Sequence, residues 1–152
     1  MRRFGLLDLT TQLLVVETLA LSAFIALTFR LVGVPQTQAW LRRWSEFFPA
    51  RISREECHSA VLRARRAQYM VKRATGLGGM CLARSLTLWT LLRRRGIETE
   101  LRVGYRKRDE KIEGHAWLEY DGAPINDDND VTRTYTVADG LSAFDNWRQV
   151  KA

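Results

Sequence analysis

The sequence predicts an α+β fold in which N-terminal helices precede one further helix and an antiparallel sheet. Three observations support this order. Apolar residues recur at helical spacing through the first half of the chain, and again from Cys81 to Arg95. Beyond Gly96, apolar and polar residues alternate as they do in strands. Asp121 and Gly122 form a dipeptide that strongly favours a hairpin turn between antiparallel strands.

Three helices are predicted in the first half. The first covers about residues 6–32 and ends where Gly33 and Pro35 break the pattern. The second begins after Pro35 and closes at Pro49. Its apolar positions recur at helical spacing: Trp40, Leu41, Trp44, Phe47 and Phe48. A capping box of Ser53 and Glu56 begins the third helix, whose apolar face includes Cys57.

The first helix is apolar enough to raise the question of a membrane span. Residues 12–29 approach the length that a span needs, but Glu17 interrupts them. Thr11, Thr18 and Ser22 leave a narrow polar stripe along the helix. This pattern favours burial in a core or against a partner protein over a span or a secretory signal, with membrane contact as the less favoured alternative.

The second half contains the remaining predicted elements. The helix from Cys81 to Arg95 buries Leu82, Leu86, Trp89 and Leu92, and Gly96 caps it. Strands follow at residues 101–105 and around His115, separated by a charged loop at residues 107–111. After the Asp121 turn, residues 123–125 return along the second strand. A further strand is predicted over residues 131–137 and a short helix over residues 141–150.

Length and composition indicate a single folded domain. The chain has 152 residues, which is enough for one domain with a core. Its 46% hydrophobic and 10% aromatic residues argue against disorder. We divide it into an apolar helical region (residues 1–50) and a core (residues 51–152) within one compact unit. The two cysteines form no disulfide framework and no metal-ligand spacing, which predicts a reducing cytoplasm and no metal.

The charge balance is basic. Lys and Arg total 24 against 17 acidic residues, which gives a net charge of +7. Such a balance suggests an anionic partner, namely an acidic peptide, nucleic acid or a membrane surface. The arginine clusters at residues 63–66 and 93–95 are, however, typical of solvated helix faces, and we expect no nucleic-acid partner.

The candidate chemistry lies in Cys81, His115 and Asp127. Cys81 follows a glycine-rich entry that ends at Gly79 and opens the predicted helix, where the macrodipole and unpaired N–H groups favour the thiolate. A thiol nucleophile needs a base and a group that orients the base. His115 and Asp127 follow in that order, so a Cys-His-Asp triad is predicted, with Cys57 as the structural cysteine.

Several alternatives remain open around these residues. Asn126, Asp128 and Asn129 are also able to orient the imidazole, because they are close to Asp127 in the chain. Trp117 is expected on the same strand face as His115, where it either shields the triad from water or belongs to the core. The acidic run at residues 127–130 lacks the glycine and the distal glutamate of a calcium loop.

Taken together, these residues resemble the leader peptidases of lasso-peptide biosynthesis, a transglutaminase-like family. Motif order and intervening lengths agree from Gly79 to Asp127. The matching segments are residues 79–88, 91–97, 101–105, 115–119, 121–122 and 126–127. The resemblance implies the papain-like and transglutaminase-like α+β fold, with the helix at Cys81 as the nucleophile helix. Gly79, Arg84 and Trp117 are the additional residues expected to shape the site.

The resemblance also implies the activity and its partners. It predicts a cysteine peptidase without cofactor that cuts the leader from a ribosomally made precursor peptide. Because no β-rich domain precedes the helices, we expect a stand-alone peptidase that acts with a separate leader-recognition protein and a cyclase. The rival hypotheses are a thiol acyltransferase or transglutaminase with the same triad, a non-catalytic basic module that binds RNA or anionic lipid, and an inactive scaffold.

Overall fold

The predicted order of helices followed by an antiparallel sheet is confirmed by a computed structural model, which describes residues 8–46, 52–77 and 80–138. The helices are α1 (Leu9–Leu31), α2 (Val34–Glu46), α3 (Arg54–Thr75), α4 (Cys81–Arg93) and α5 (Val131–Thr134). The strands are β1 (Glu100–Arg108), β2 (Lys111–Tyr120), β3 (Ala123–Pro124) and β4 (Thr136–Val137). Gly79, Phe47, Phe48, Pro49 and the helix predicted at residues 141–150 lie outside the described residues.

Helix α1 packs through its polar stripe. Thr18 and Ser22 are buried, and the Thr18 hydroxyl donates to the Leu14 carbonyl at 2.7 Å. Glu17, the acidic residue inside the apolar run, forms ion pairs of 2.6 Å with Arg94 and with Arg95. By length and composition α1 is apolar enough to cross a membrane, and one third of the apolar window is buried inside the fold. A core helix passes the same test, and Glu17 ties this one to the end of α4.

Helix α2 differs from the prediction in two respects. It begins at Val34, so Pro35 lies in its first turn, where a missing N–H costs no intrahelical hydrogen bond. Its inward face is also more polar than expected. Leu41 is buried together with polar neighbours, whereas Trp40 and Trp44 remain 47% and 40% exposed. The tryptophans therefore border a groove instead of filling the core.

Helices α3 and α4 supply much of the hydrophobic core. The capping box of α3 is present, since Ser53 Oγ accepts from the Glu56 N–H and the Glu56 carboxylate accepts from the Ser53 N–H. On α4, the predicted core positions are all buried: Leu82, Leu86, Trp89 and Leu92. Burial on nearly every face makes α4 the element around which the helices and the sheet assemble.

The sheet has the strand order β3-β2-β1-β4 and is antiparallel. Gly104 of β1 pairs with His115 of β2 in this register. The charged loop predicted at residues 107–111 is mostly strand. Only Asp109 and Glu110 form the turn, both with positive φ, as a tight two-residue hairpin requires.

The strand predicted over residues 131–137 was largely wrong. Residues Val131–Thr134 form the short helix α5, and only Thr136–Val137 pair with β1. The cause is local hydrogen bonding, because the Asp130 carbonyl accepts from the Arg133 and Thr134 N–H groups and so closes a helical turn. The chain then becomes extended at Tyr135 and reaches the edge of the sheet.

Gly104 offers a test of this packing. A methyl group at its Cα would lie 2.9 Å from the Thr136 carbonyl and 3.0 Å from the Trp117 ring. We expect Gly104→Ala to lower the free energy of unfolding by about 1–3 kcal/mol, because a backbone contact yields poorly. Urea unfolding measures the change. Ile112→Ala, at an exposed position of β2, is the control and should stay within about 0.5 kcal/mol; equal stability of both variants would contradict the packing described.

Candidate active site

Cys81 is the first residue of α4, as predicted. Its thiol is free and partly buried, and it packs against the hydrophobic core. The N-cap residue, Met80, makes no side-chain hydrogen bond to the start of the helix. No capping side chain therefore accepts hydrogen bonds from the first N–H groups of α4. These N–H donors lie beside the Cys81 thiol. Cys57, on α3, is also free, partly buried and packed against the core, so burial does not distinguish the two cysteines; only Cys81 lies at the start of a helix.

A hydrogen-bond relay holds α4 against β2. Asn126 Nδ2 donates to Ser85 Oγ at 2.9 Å, and Ser85 Oγ donates to the Ala116 carbonyl at 3.1 Å. Asn126 Oδ1 in turn accepts from the Leu118 N–H at 2.8 Å. Ser85 is one helical turn beyond Cys81, so the relay joins the Cys81 face of α4 to the residue that follows His115. Asn126 is one of the residues that the sequence offers as an alternative to Asp127 for orienting the imidazole. Its side chain instead hydrogen-bonds to the Leu118 N–H and to Ser85.

His115 and Asp127 are brought together although twelve residues separate them. His115 Nε2 lies 2.6 Å from Asp127 Oδ2, and both side chains are four-fifths buried. Arg84 Nη2 donates to the same Asp127 oxygen at 3.1 Å. The other oxygen accepts from the Asp128 N–H at 2.9 Å. The carboxylate is therefore held from three sides, and it engages Nε2 of the imidazole and leaves Nδ1 for other chemistry.

The three predicted triad residues are thus only partly joined. Asp127 binds His115, whereas the Cys81 thiol makes no hydrogen bond to any residue in the described part of the chain. Hydrogen bonds at the nucleophile are often long before substrate arrives, so this geometry is compatible with catalysis. Within the same residues, no group of three or more His, Cys, Asp or Glu side chains is suited to hold a metal ion.

An aromatic stack supports the imidazole and was not foreseen from the sequence. The Tyr135 ring stacks on His115 with centroids 4.8 Å apart, and the Arg106 guanidinium carbon lies 4.8 Å from the centroid of the Tyr135 ring. Arg106 also donates to Glu113 at 2.7 Å, and this hydrogen bond raises the pKa of Arg106 above its usual value. No sequence signal marks Tyr135, because the sequence predicts a single strand over residues 131–137.

Trp117 and Arg84, the other expected site-shaping residues, both contact the pair. Trp117 is fully buried, its ring centroid lies 6.2 Å from that of His115, and its Nε1 donates to Glu119 at 2.8 Å. The indole is therefore a buried packing residue that also borders the imidazole. Arg84 binds Asp127 directly and so links α4 to the carboxylate.

The Tyr135 stack predicts a change that NMR detects. In Tyr135→Ala, the His115 ring protons should move downfield because the ring current of the stacked tyrosine is lost. Tyr135→Phe should preserve their position. His58, the second histidine of the chain and exposed on α3, is the internal control and should not change. If Tyr135→Ala leaves the His115 signals unchanged, the rings do not stack in solution.

One of the comparisons with known proteins gives a match. The family model described as the Transglutaminase-like superfamily matches residues 26–139, which is more than half of the chain and includes all three candidate residues. No curated protein and no solved structure matches the chain. Cysteine peptidases and transglutaminases make up this superfamily in general, and both chemistries begin at a cysteine thiol. The chain belongs to the Transglutaminase-like superfamily.

Proposed function

We propose that this chain is a cysteine peptidase that removes the leader from a lasso-peptide precursor, with Cys81, His115 and Asp127 as its triad. The observation that carries the proposal is the 2.6 Å hydrogen bond between His115 Nε2 and Asp127 Oδ2 beside the helix that begins at Cys81. Superfamily membership supports thiol chemistry. The choice of precursor rests on the resemblance across residues 79–127.

The first half-reaction forms an acyl-enzyme. His115 Nδ1, the ring nitrogen that Asp127 leaves available, takes the proton from Cys81. The thiolate attacks the carbonyl carbon at the end of the leader and forms a tetrahedral oxyanion. The imidazolium then gives its proton to the amine of the core peptide as the carbon–nitrogen bond breaks. Asp127 stabilises the imidazolium throughout without accepting the proton.

The second half-reaction releases the leader. Water gives a proton to His115 and attacks the thioester carbon, and the Cys81 sulfur leaves with the proton that His115 returns. Both oxyanions need hydrogen-bond donors close to the sulfur. The uncapped N–H groups at the start of α4, including that of Cys81, are suited to this role, because Met80 offers no competing side chain.

The partners of the reaction are a leader-recognition protein and a cyclase. An apolar groove between α1 and α2 is suited to bind the recognition protein. It has a volume of about 390 Å³ and is lined by Leu21, Phe24, Trp40, Leu41 and Trp44, of which Phe24 and both tryptophans are exposed. Exposed aromatic residues around an apolar depression are typical of protein interfaces. The free thiols of both cysteines fit the reducing cytoplasm that we propose as its location.

A thiol acyltransferase or transglutaminase is the second candidate. The superfamily match supports it equally, because an amine replaces water in the second half-reaction while the triad and the acyl-enzyme remain the same. A non-catalytic module that binds RNA or anionic lipid depends on the net charge of +7 alone. The three functions are separated by the product formed and by its dependence on Cys81.

The triad predicts a clear result with a precursor peptide and its recognition protein. Cys81→Ala should lower the rate of leader release by roughly 10⁴-fold or more, and Asp127→Asn by about 10²–10⁴-fold, because the imidazole loses its orientation. Mass spectrometry of the released leader gives the rates. Cys57→Ala is the matched control and should retain activity.

Two results of this experiment would contradict the peptidase proposal. Incorporation of an added primary amine in preference to hydrolysis would identify an acyltransferase. Salt-dependent RNA binding that survives Cys81→Ala, without any Cys81-dependent product, would indicate the basic module.

The proposed docking groove makes its own prediction. Trp40→Glu combined with Trp44→Glu should weaken binding of the recognition protein by at least about 100-fold, because tryptophans at the centre of an interface carry about 2 kcal/mol or more each. Isothermal titration calorimetry measures the affinity. Leu62→Glu with Ile112→Glu changes the same number of exposed apolar positions on α3 and β2 and is the control. Equal weakening by both pairs would place the interface elsewhere.

A further inference from the structure

A polar cleft lies next to the candidate triad. It has a volume of about 270 Å³ and opens between α3, α4 and the segment that follows β3. Helix α3 contributes Arg65, Tyr69 and Lys72, which are spaced by four and then three residues and therefore share one helix face. Arg84 of α4 and the carboxylate of Asp127 complete the side nearest to His115.

Two cationic side chains of the cleft form no ion pair within the described residues. Arg65 and Lys72 are exposed, and neither forms an ion pair with any residue of the described ranges. Arg84 Nε is buried and has no hydrogen-bond partner among the residues that the structure describes. Of the two carboxylates in the lining, Asp127 is already engaged by Arg84 and His115, and Asp128 is exposed. An anionic group bound in the cleft would neutralise the exposed cations, and a small shift of the Arg84 side chain would bring its unpaired Nε–H to the same group.

The cleft is close enough to the candidate triad to contact side chains of a bound substrate. Arg84 Nη2 and His115 Nε2 both contact Asp127 Oδ2, at 3.1 Å and 2.6 Å, so only one oxygen atom separates the lining of the cleft from the imidazole. An extended peptide advances about 3.3 Å per residue. A substrate held at His115 therefore brings side chains within roughly three residues of the reacting bond to this cleft.

We propose that the cleft formed by Arg65, Tyr69, Lys72 and Arg84 binds an acidic side chain of the peptide substrate, located within about three residues of the cleaved bond. A carboxylate matches the guanidinium and ammonium groups in charge and in hydrogen-bond geometry. The inference rests on the proposed peptidase function, since it assigns substrate selection to the neighbourhood of the same triad.

Cleavage-site profiling tests the inference. The full chain and its recognition protein are incubated with a library of precursor peptides randomised within three residues of the cut, and Cys81-dependent cuts are mapped by mass spectrometry. We expect Asp and Glu to be enriched within three residues of the cut. In Arg65→Glu/Lys72→Glu this enrichment should disappear and the rate on acidic peptides should fall by about tenfold or more, since hydrogen bonds to charged groups carry that much.

A variant pair matched in total charge provides the control. Arg63→Glu/Arg66→Glu changes two exposed arginines of the same helix that do not line the cleft, and it should keep the acidic preference. Cys81-dependent cleavage with no acidic preference would overturn this inference and leave the peptidase function intact. The absence of any Cys81-dependent product, also with a precursor and its recognition protein, would instead contradict the peptidase function.

Binding without turnover gives an independent test. In Cys81→Ala, the NMR signal of Arg84 Nε–H is followed during titration with a capped Gly-Glu-Gly-Glu-Gly peptide and with its Gln counterpart. The Glu peptide should shift this signal saturably, and about tenfold more weakly in Arg65→Glu/Lys72→Glu. Equal responses to both peptides, no response, or displacement of the Glu peptide by a short oligouridylate at lower concentration would overturn the assignment.

Discussion

One carboxylate oxygen, Asp127 Oδ2, joins parts of the chain that are far apart in sequence. It contacts the His115 imidazole of β2 and the Arg84 guanidinium of α4, while the carboxylate itself follows β3. A partly buried carboxylate is stabilised only when its charged partners and hydrogen bonds are complete, so each contact constrains the others. This arrangement depends in turn on the Ser85 relay, because the relay keeps α4 close enough to β2 for Arg84 to reach the Asp127 carboxylate.

The N-terminal helices support this arrangement from the opposite end of α4. Glu17 holds Arg94 and Arg95 where α4 ends, so the apolar helix α1 is tied to α4 by charge as well as by packing. With its polar stripe turned inward, α1 leaves much of its apolar surface outside. The apolar groove beside Trp40 and Trp44 forms where this outward apolar surface of α1 meets α2. The polar cleft is built from other elements, namely α3, α4 and the segment after β3.

The imidazole is bounded by chemically different neighbours. Asp127 engages one ring nitrogen, and Tyr135 covers one face of the ring. The Trp117 indole lies beside the imidazole and packs against Gly104 of β1. Gly104 makes this possible, since any side chain there would meet the indole ring and the Thr136 carbonyl. Orientation of His115 therefore also depends on Gly104 of β1 and on Tyr135, the residue before β4.

The sequence alone determined those features that follow from local periodicity and local chemistry. Helical spacing identified α1 and α4, the Ser53 capping box began α3, and the Asp121 turn directed Asp127 back toward His115. Tertiary structure alone decided what depends on contacts between distant residues. The role of Tyr135, the sharing of Asp127 with Arg84, and the outward position of Trp40 and Trp44 arise from packing across elements, for which spacing along one segment carries no information. The strand expected at residues 131–137 shows the same limit, because a few backbone hydrogen bonds at Asp130 outweighed its β-branched composition.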